Sequence, residues 1–191
     1  MNTHASKLAR LSIYFWIIKI TATTLGETFS DYLAHDDGGL GLGYALSASI
    51  VTTLFLITFL MQVFAKRHYP LLFWSVILST SVAGTSISDF LDRTLHLGYA
   101  AGASILFILL LTTFALWKSN NGKLSVESIE SRRDETYYWI AILISNTLGT
   151  ALGDFLADNS GLGFAGGAEL LGGLLILVCL IYFFTNISRV A

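Results

Sequence analysis

The amino-acid sequence predicts an all-α membrane protein: six transmembrane helices, arranged as three parallel two-helix repeats with both ends on the inner side. Three observations predict it. The 191 residues are 54% hydrophobic and 13% charged, with a mean hydropathy of +0.67. Six long apolar stretches are present, and a bilayer core needs roughly 20 helical residues to cross. The pattern G-x-x-x-x-D-(aromatic)-L closes every second stretch, at residues 26–33, 84–91 and 149–156. Repetition at such a period is the mark of one supersecondary unit used several times.

The first stretch, near 12–33, carries Lys19, Glu27 and Asp31 as well as the motif, so it belongs to the fold and is not a cleaved leader. The second, near 41–65, opens on Leu42-Gly43-Tyr44-Ala45. The turn before it has three extra residues, within His35-Asp36-Asp37-Gly38-Gly39; that trio could bind a metal in principle, but it reads more simply as a solvated turn. The third, near 71–91, follows Pro70, the chain's one proline, which falls in a linker where it breaks no helix. The fourth, near 97–117, opens on Leu97-Gly98-Tyr99-Ala100. A linker at 118–136 mixes Glu127, Glu130, Asp134 and Glu135 with Arg132 and Arg133 and reads as solvated and cytoplasmic. The fifth and sixth stretches, near 137–157 and 162–185, complete the third copy, which repeats the element as Leu162-Gly163-Phe164-Ala165. The repeats therefore run over about 11–68, 69–120 and 134–187, within a single transmembrane domain covering 1–191. No short alternating strands of the kind a β-barrel needs are present.

Basic residues set the orientation. Lys7, Arg10, Lys66, Arg67, Lys118, Lys123, Arg132, Arg133 and Arg189 fall on one side of the six-span arrangement, and only Arg93 on the other. The positive-inside rule then places both termini in the cytoplasm. Asn186-Ile187-Ser188, a glycosylation sequon, falls on the cytoplasmic side, where it is inert. Two spans per unit give every copy the same direction, so the repeats are parallel and related by an axis along the membrane normal.

Aligned on their acids, the odd-numbered stretches share a polar stripe. It runs Thr23, Gly26, Glu27, Ser30, Asp31 in the first copy, Ser81, Gly84, Thr85, Ser88, Asp89 in the second, and Asn146, Gly149, Thr150, Gly153, Asp154 in the third. The i, i+3, i+4, i+7, i+8 spacing puts each set on one helical face. Such a face lacks partners in lipid, so the three should meet one another or a hydrated cavity. Gly26/Ser30, Gly84/Ser88 and Gly149/Gly153 are also small-xxx-small pairs, which let helices approach closely. Trp16, Trp74 and Trp139 each stand fifteen residues before an Asp, roughly 22 Å along a helix. With Trp117, Tyr69 and Tyr182 they are expected to form an inner aromatic belt, which puts Asp31, Asp89 and Asp154 near the outer interface. Each Asp also suits the glycine-rich turn that follows it.

Glu27 and Glu169 lie deeper. Across the copies Glu27 aligns with Thr85 and Thr150, and Glu169 with Ser49 and Ser104. Ionisable groups within a bilayer are costly and point by default to a functional site. Lys19 is deeper still, and either snorkels inward or pairs with an acid on another helix.

The tryptophans, TTLGETFSDYL at 23–33, SVAGTSISDFLDRTLHLGYA at 81–100 and NTLGTALGDFLADNSGLGFAGG at 146–167 resemble a bacterial family of polytopic membrane proteins of unknown function, built from tandem two-helix repeats. The resemblance covers nearly the whole chain and implies an inner-membrane protein with no assigned activity. Members typically carry four copies, and three are found here. A pathway formed by four repeats would be open in this chain, and pairing with a second copy would cover the exposed face.

The expected function is passage of a small cation, divalent or proton-coupled. Asp31, Asp89 and Asp154 would form an outer ring, Glu27 and Glu169 an inner titrating layer, and Thr85, Thr150, Ser49 and Ser104 neutral oxygen ligands; these acids are also the candidate metal ligands. The rival expectation is a non-transporting scaffold or accessory subunit whose stripes serve only packing. No nucleophile–base–acid arrangement suggests an enzyme, and no cofactor motif occurs: the glycine run 38–43 lacks the Lys-Ser/Thr of a phosphate loop. The lone Cys179 cannot form an internal disulfide. The net charge of −2, without a basic aromatic surface, gives no support for nucleic-acid binding. Expected partners are the lipid bilayer, a small cation and a second copy of the chain.

The orientation is checked with topology reporters. A periplasm-dependent phosphatase inserted at 37–38 should be active, and the same reporter inserted at 66–67 inactive; the reverse pattern would invert the assignment.

Overall fold

The computed structural model describes residues 12–121, 129 and 131–184. Lys7, Arg10, Lys123, Glu127, Glu130, Arg189, the side chain of Tyr182 and the Asn186 sequon lie outside the described residues. The order of elements is α1 (Ile13–Ala34), α2 (Gly43–Phe64), α3 (Pro70–Asp89), α4 (Tyr99–Asn121), α5 (Arg132–Asp154) and α6 (Gly163–Phe184), with five-residue π-helical segments Phe90–Thr94 and Phe155–Asn159 continuing α3 and α5. Five of the six helices are long and apolar enough to cross a membrane. The exception is α1, which is long enough at 22 residues but diluted by Lys19, Glu27, Asp31 and four threonines.

The helix ends follow from local chemistry. Ser12 and Ser131 cap α1 and α5, their hydroxyls accepting from the N–H groups of Phe15 (3.2 Å) and Asp134 (3.0 Å). Asp134 and Glu135 in the first turn of α5 suit its positive end. Pro70 occupies the first turn of α3, where its missing N–H is no loss. The repeated Leu-Gly element is explained by its glycine: Gly43, Gly98 and Gly163 have φ of 72°, 78° and 67°, a left-handed conformation that other residues resist. The copies part at the turn before it. The shorter turns of the second and third copies open with π-type bonds, Leu95 N–H to Phe90 O and Ser160 N–H to Phe155 O, both 3.0 Å. The longer first turn closes α1 in ordinary α fashion, His35 N–H to Asp31 O at 3.0 Å.

Packing centres on α3. It touches α1, α2 and α5, and 67% of its span is buried, against 6% for α6. Gly26 fits against Ser81 and Val82, where an added Cβ would stand 2.5 Å from the Ser81 hydroxyl. Gly84 fits against Asn146 and Thr147 in the same manner, 3.0 Å from the Thr147 nitrogen. These are equivalent positions, so each odd helix seats its glycine on the next odd helix. Even helices follow the same rule: α2 packs on α3 and α4 on α5. Ser30 and Ser86 share a buried hydrogen bond of 2.6 Å across the first of these seams.

Two expectations need correction. Trp139 and Trp117 are not belt residues: they are 0% and 2% exposed. Trp139 packs on Phe73 with ring centroids 5.6 Å apart, and the Trp117 indole donates to Asp134 at 2.9 Å. Trp16 and Tyr69 are exposed and Trp74 is half-buried. The linker is also shorter than 118–136, because α4 runs to Asn121 and α5 starts at Arg132. Glu135, expected in the linker, lies in the first turn of α5, where it is buried and accepts from the Gln62 amide at 3.0 Å, tying α5 to α2.

Gly26→Ala and Gly84→Ala should each lower stability by about 1–3 kcal/mol, the usual cost of overpacking. Gly153→Ala, with open space at its Cβ, should be close to neutral. Unfolding midpoints in detergent micelles check the ordering, and equal effects at all three positions would contradict the packing.

Candidate functional site

A cleft of about 410 Å³ lies where the polar stripes were expected to meet. Its walls are Thr23 and Glu27 of α1, Ser81 and Thr85 of α3, and Ser145, Asn146, Gly149, Thr150, Gly153 and Asp154 of α5; Phe164, Gly167, Ala168 and Leu171 of α6 cover one flank. Each stripe is divided by its place in the bundle. On α1 and α3 the glycines go to the helix seams while the residues beside them face the cleft. On α5 the last seam is unfilled, so all five stripe positions line it.

The oxygen atoms of the wall are biased toward accepting. The Thr23 hydroxyl donates to Lys19 O at 2.8 Å and that of Ser81 to Thr23 O at 3.2 Å. The Asn146 amide nitrogen donates to the Thr80 hydroxyl at 3.3 Å, leaving its carbonyl oxygen as an acceptor. Thr85 and Thr150 share a bond of 3.3 Å across α3 and α5. A hydroxyl whose proton is given to a carbonyl offers lone pairs to whatever enters. The carboxylates of the cleft are Glu27, which is exposed, and Asp154, which is half-buried. Asp154 lies within electrostatic reach of Asp89, Arg93, Asp158 and Glu27.

The other expected site residues are placed elsewhere. Asp89 is 4% exposed and pairs with Arg93, Nε to Oδ1 at 3.1 Å. Asp31 is largely exposed, 4.0 Å from the His35 ring. Ser49 and Ser104 are exposed and bond back to Ala45 O and Ala100 O, both at 2.7 Å. Glu169 is exposed on α6 and does not line the cleft. No ion pair joins Lys19 to an acid among the described residues. The equivalence drawn between Glu169, Ser49 and Ser104 is sound as alignment, but even helices present that position outward.

Arg93 is the residue the sequence reading undervalued. It pairs with Asp89 and sits 5.6 Å from the centroid of the Tyr44 ring. Its place four residues after Asp89 on a helix was the available signal. Asp92 is buried with neither carboxylate oxygen bonded among the described residues; it fits against Gly102, where a Cβ would come within 2.7 Å. The His35-Asp36-Asp37 turn holds its shape by other means: His35 bonds to Asp31 O and to the Tyr44 hydroxyl, both at 3.1 Å. No group of three or more His, Cys, Asp or Glu able to hold a metal ion exists among the described residues.

Comparison with known proteins finds one family, described as Repeat of Unknown Function (DUF347), matching three times, at residues 14–68, 72–122 and 137–188. No curated protein and no solved structure matches the chain.

Arg93→Gln leaves the buried Asp89 without its partner. The guanidinium is partly exposed, so the expected loss is about 2–3 kcal/mol, below the range for a fully buried pair. Adding Asp89→Asn should recover part of it in the same melting experiment; a double variant as unstable as the sum of the singles would show that the pair is not coupled.

Proposed function

The chain belongs to the family described as Repeat of Unknown Function (DUF347), and from that premise we propose that it is a transporter passing a small cation through the cleft. In this reading α1 is a sixth span, both termini face the cytoplasm, and the membrane is the bacterial inner membrane. The observation that supports it is the convergence of three polar stripes, from three separate repeats, on one cleft holding Glu27 and Asp154. A carboxylate among oriented oxygen acceptors is how membrane proteins bind cations and relay protons. Two acids and several neutral oxygens suit a cation held weakly enough to leave, a monovalent ion or proton foremost and a hydrated divalent next. The Asp89–Arg93 pair and the exposed Asp31 would tune the outer approach without binding the ion.

A scaffold role has its own support in the glycine seats at Gly26 and Gly84, which explain part of each stripe by packing alone. The two readings differ at Glu27 and Asp154, which line the cleft and not a helix seam.

Glu27→Gln and Asp154→Asn should each cut cation flux into proteoliposomes by about tenfold or more, with insertion and helicity retained. Ser49→Ala and Ser104→Ala should leave flux unchanged. Wild-type flux in both carboxamide variants, or none in the parent protein across alkali, divalent and proton gradients, would favour the scaffold.

A further inference from the structure

Four layers of the bundle repeat one directional step, and each step is left open at the same two ends. At the inner end Phe15 meets Trp74 (5.5 Å between centroids) and Phe73 meets Trp139 (5.6 Å), each the aromatic before one tryptophan against the tryptophan of the next copy. In the middle Gly26 seats on Ser81 and Gly84 on Asn146. At the outer end Tyr44 stacks under Arg93 and the Tyr99 hydroxyl donates to Asp158 (3.4 Å), the aromatic of the Leu-Gly element against the fourth residue after the next Asp. Around them α2 packs on α3 and α4 on α5. An interface built from two different surfaces is heterologous, and it propagates until something closes it.

Among the described residues the tail carries the first half of every step, met in part at Tyr138, which packs against the core, and open at Gly149 and Phe164. Among the described residues Tyr138 stacks on no tryptophan but its own neighbour. Gly149 has nothing within 4 Å of its Cβ position, and Phe164 is 79% exposed. α6 touches the bundle mainly through the Phe155–Asn159 segment and leaves Glu169 uncovered at membrane depth. The head carries the second half: Trp16 is 53% exposed, Thr23 lines the open cleft, and His35 is exposed with one side of its ring against Tyr44 of the same copy. Both halves belong to one chain, and α1 and α6 have no more than marginal contact.

We infer that two copies of this chain associate head to tail, with α5 and α6 of one receiving α1 of the other. Tyr138 then meets Trp16 of the second copy, Gly149 seats on Thr23 of the second copy, and Phe164 covers His35 of the second copy. α6 gains the odd helix that α2 and α4 already have, and Glu169 is removed from lipid, where an ionisable group is costly. Thr23 of the second copy then enters the open flank of the first copy's cleft at Gly149, beside the Thr23 and Glu27 that already line it. The inference stands on packing and holds whether or not the cleft passes ions.

The test uses the full chain with Cys179→Ser in two differently tagged forms, one carrying Thr23→Cys and the other Gly149→Cys. The equivalent seat puts a Cβ on Gly84 2.9 Å from the Asn146 Cβ, near the roughly 3.8 Å a disulfide needs. Oxidation of co-expressed forms in membranes should give a mixed disulfide dimer, with none from either form alone. Native mass spectrometry of the unmodified protein from mild detergent should show a dimer, and Gly149→Leu should raise its dissociation constant by about tenfold or more while the helical signal stays constant. A monomer under all conditions, or like-with-like cross-linking at Thr23→Cys as strong as the mixed product, would overturn the inference.

Discussion

Polar side chains on a membrane helix have no partner in lipid, and this constraint arranges the whole bundle. The odd helices carry the stripes, so they take the interior, with α3 in the middle and α1 and α5 on either side of it. The even helices are apolar enough to cross a membrane, and their exposed large side chains are almost all Leu, Ile, Val and Phe. Thr23, Glu27, Ser81 and Thr85 of the first two stripes, and all five positions of the third, line the cleft. Glycine is the residue that decides the division, because a seat at Gly26 or Gly84 turns the neighbouring hydroxyl or carboxylate toward open space.

Much of this was readable in the sequence because its signals are periodic. Six stretches, the polar face of the odd helices and the glycine of the turn all recur at fixed offsets, and repetition averages away local noise. Individual neighbours were less readable. Trp139 reads as an interfacial anchor, yet it lies under Phe73 because α5 is flanked by α3. Glu135 sits in a charged run and reads as solvated, yet one helical turn carries it onto Gln62. Arg93 looked like a stray outer cation and is the partner of a buried Asp. Ser49, Ser104 and Glu169 aligned convincingly with one another, but alignment fixes equivalence between copies and says nothing about which way a helix is turned.

The copies are alike in sequence and unlike in surroundings. The middle unit has both neighbours, so its acid is buried and paired and its glycine is seated. The outer units each lack one neighbour. Asp31 and Asp154 are correspondingly more open than Asp89, and the two carboxylates lining the cleft, Glu27 and Asp154, come from the first and last copies. The chemistry of the cleft thus depends on the surroundings of each copy and not on the motif alone.

The central claim is that the convergent faces of α1, α3 and α5 enclose water. Cysteines introduced at Thr85 and Thr150, with Cys179→Ser, and at the lipid-facing Ile108 as reference, can be titrated with a small, membrane-impermeant thiol reagent in intact membranes. The account predicts labelling at both threonine positions at rates well above that at Ile108. Rates at Thr85 and Thr150 no faster than at Ile108 would contradict a hydrated interior and with it the functional reading.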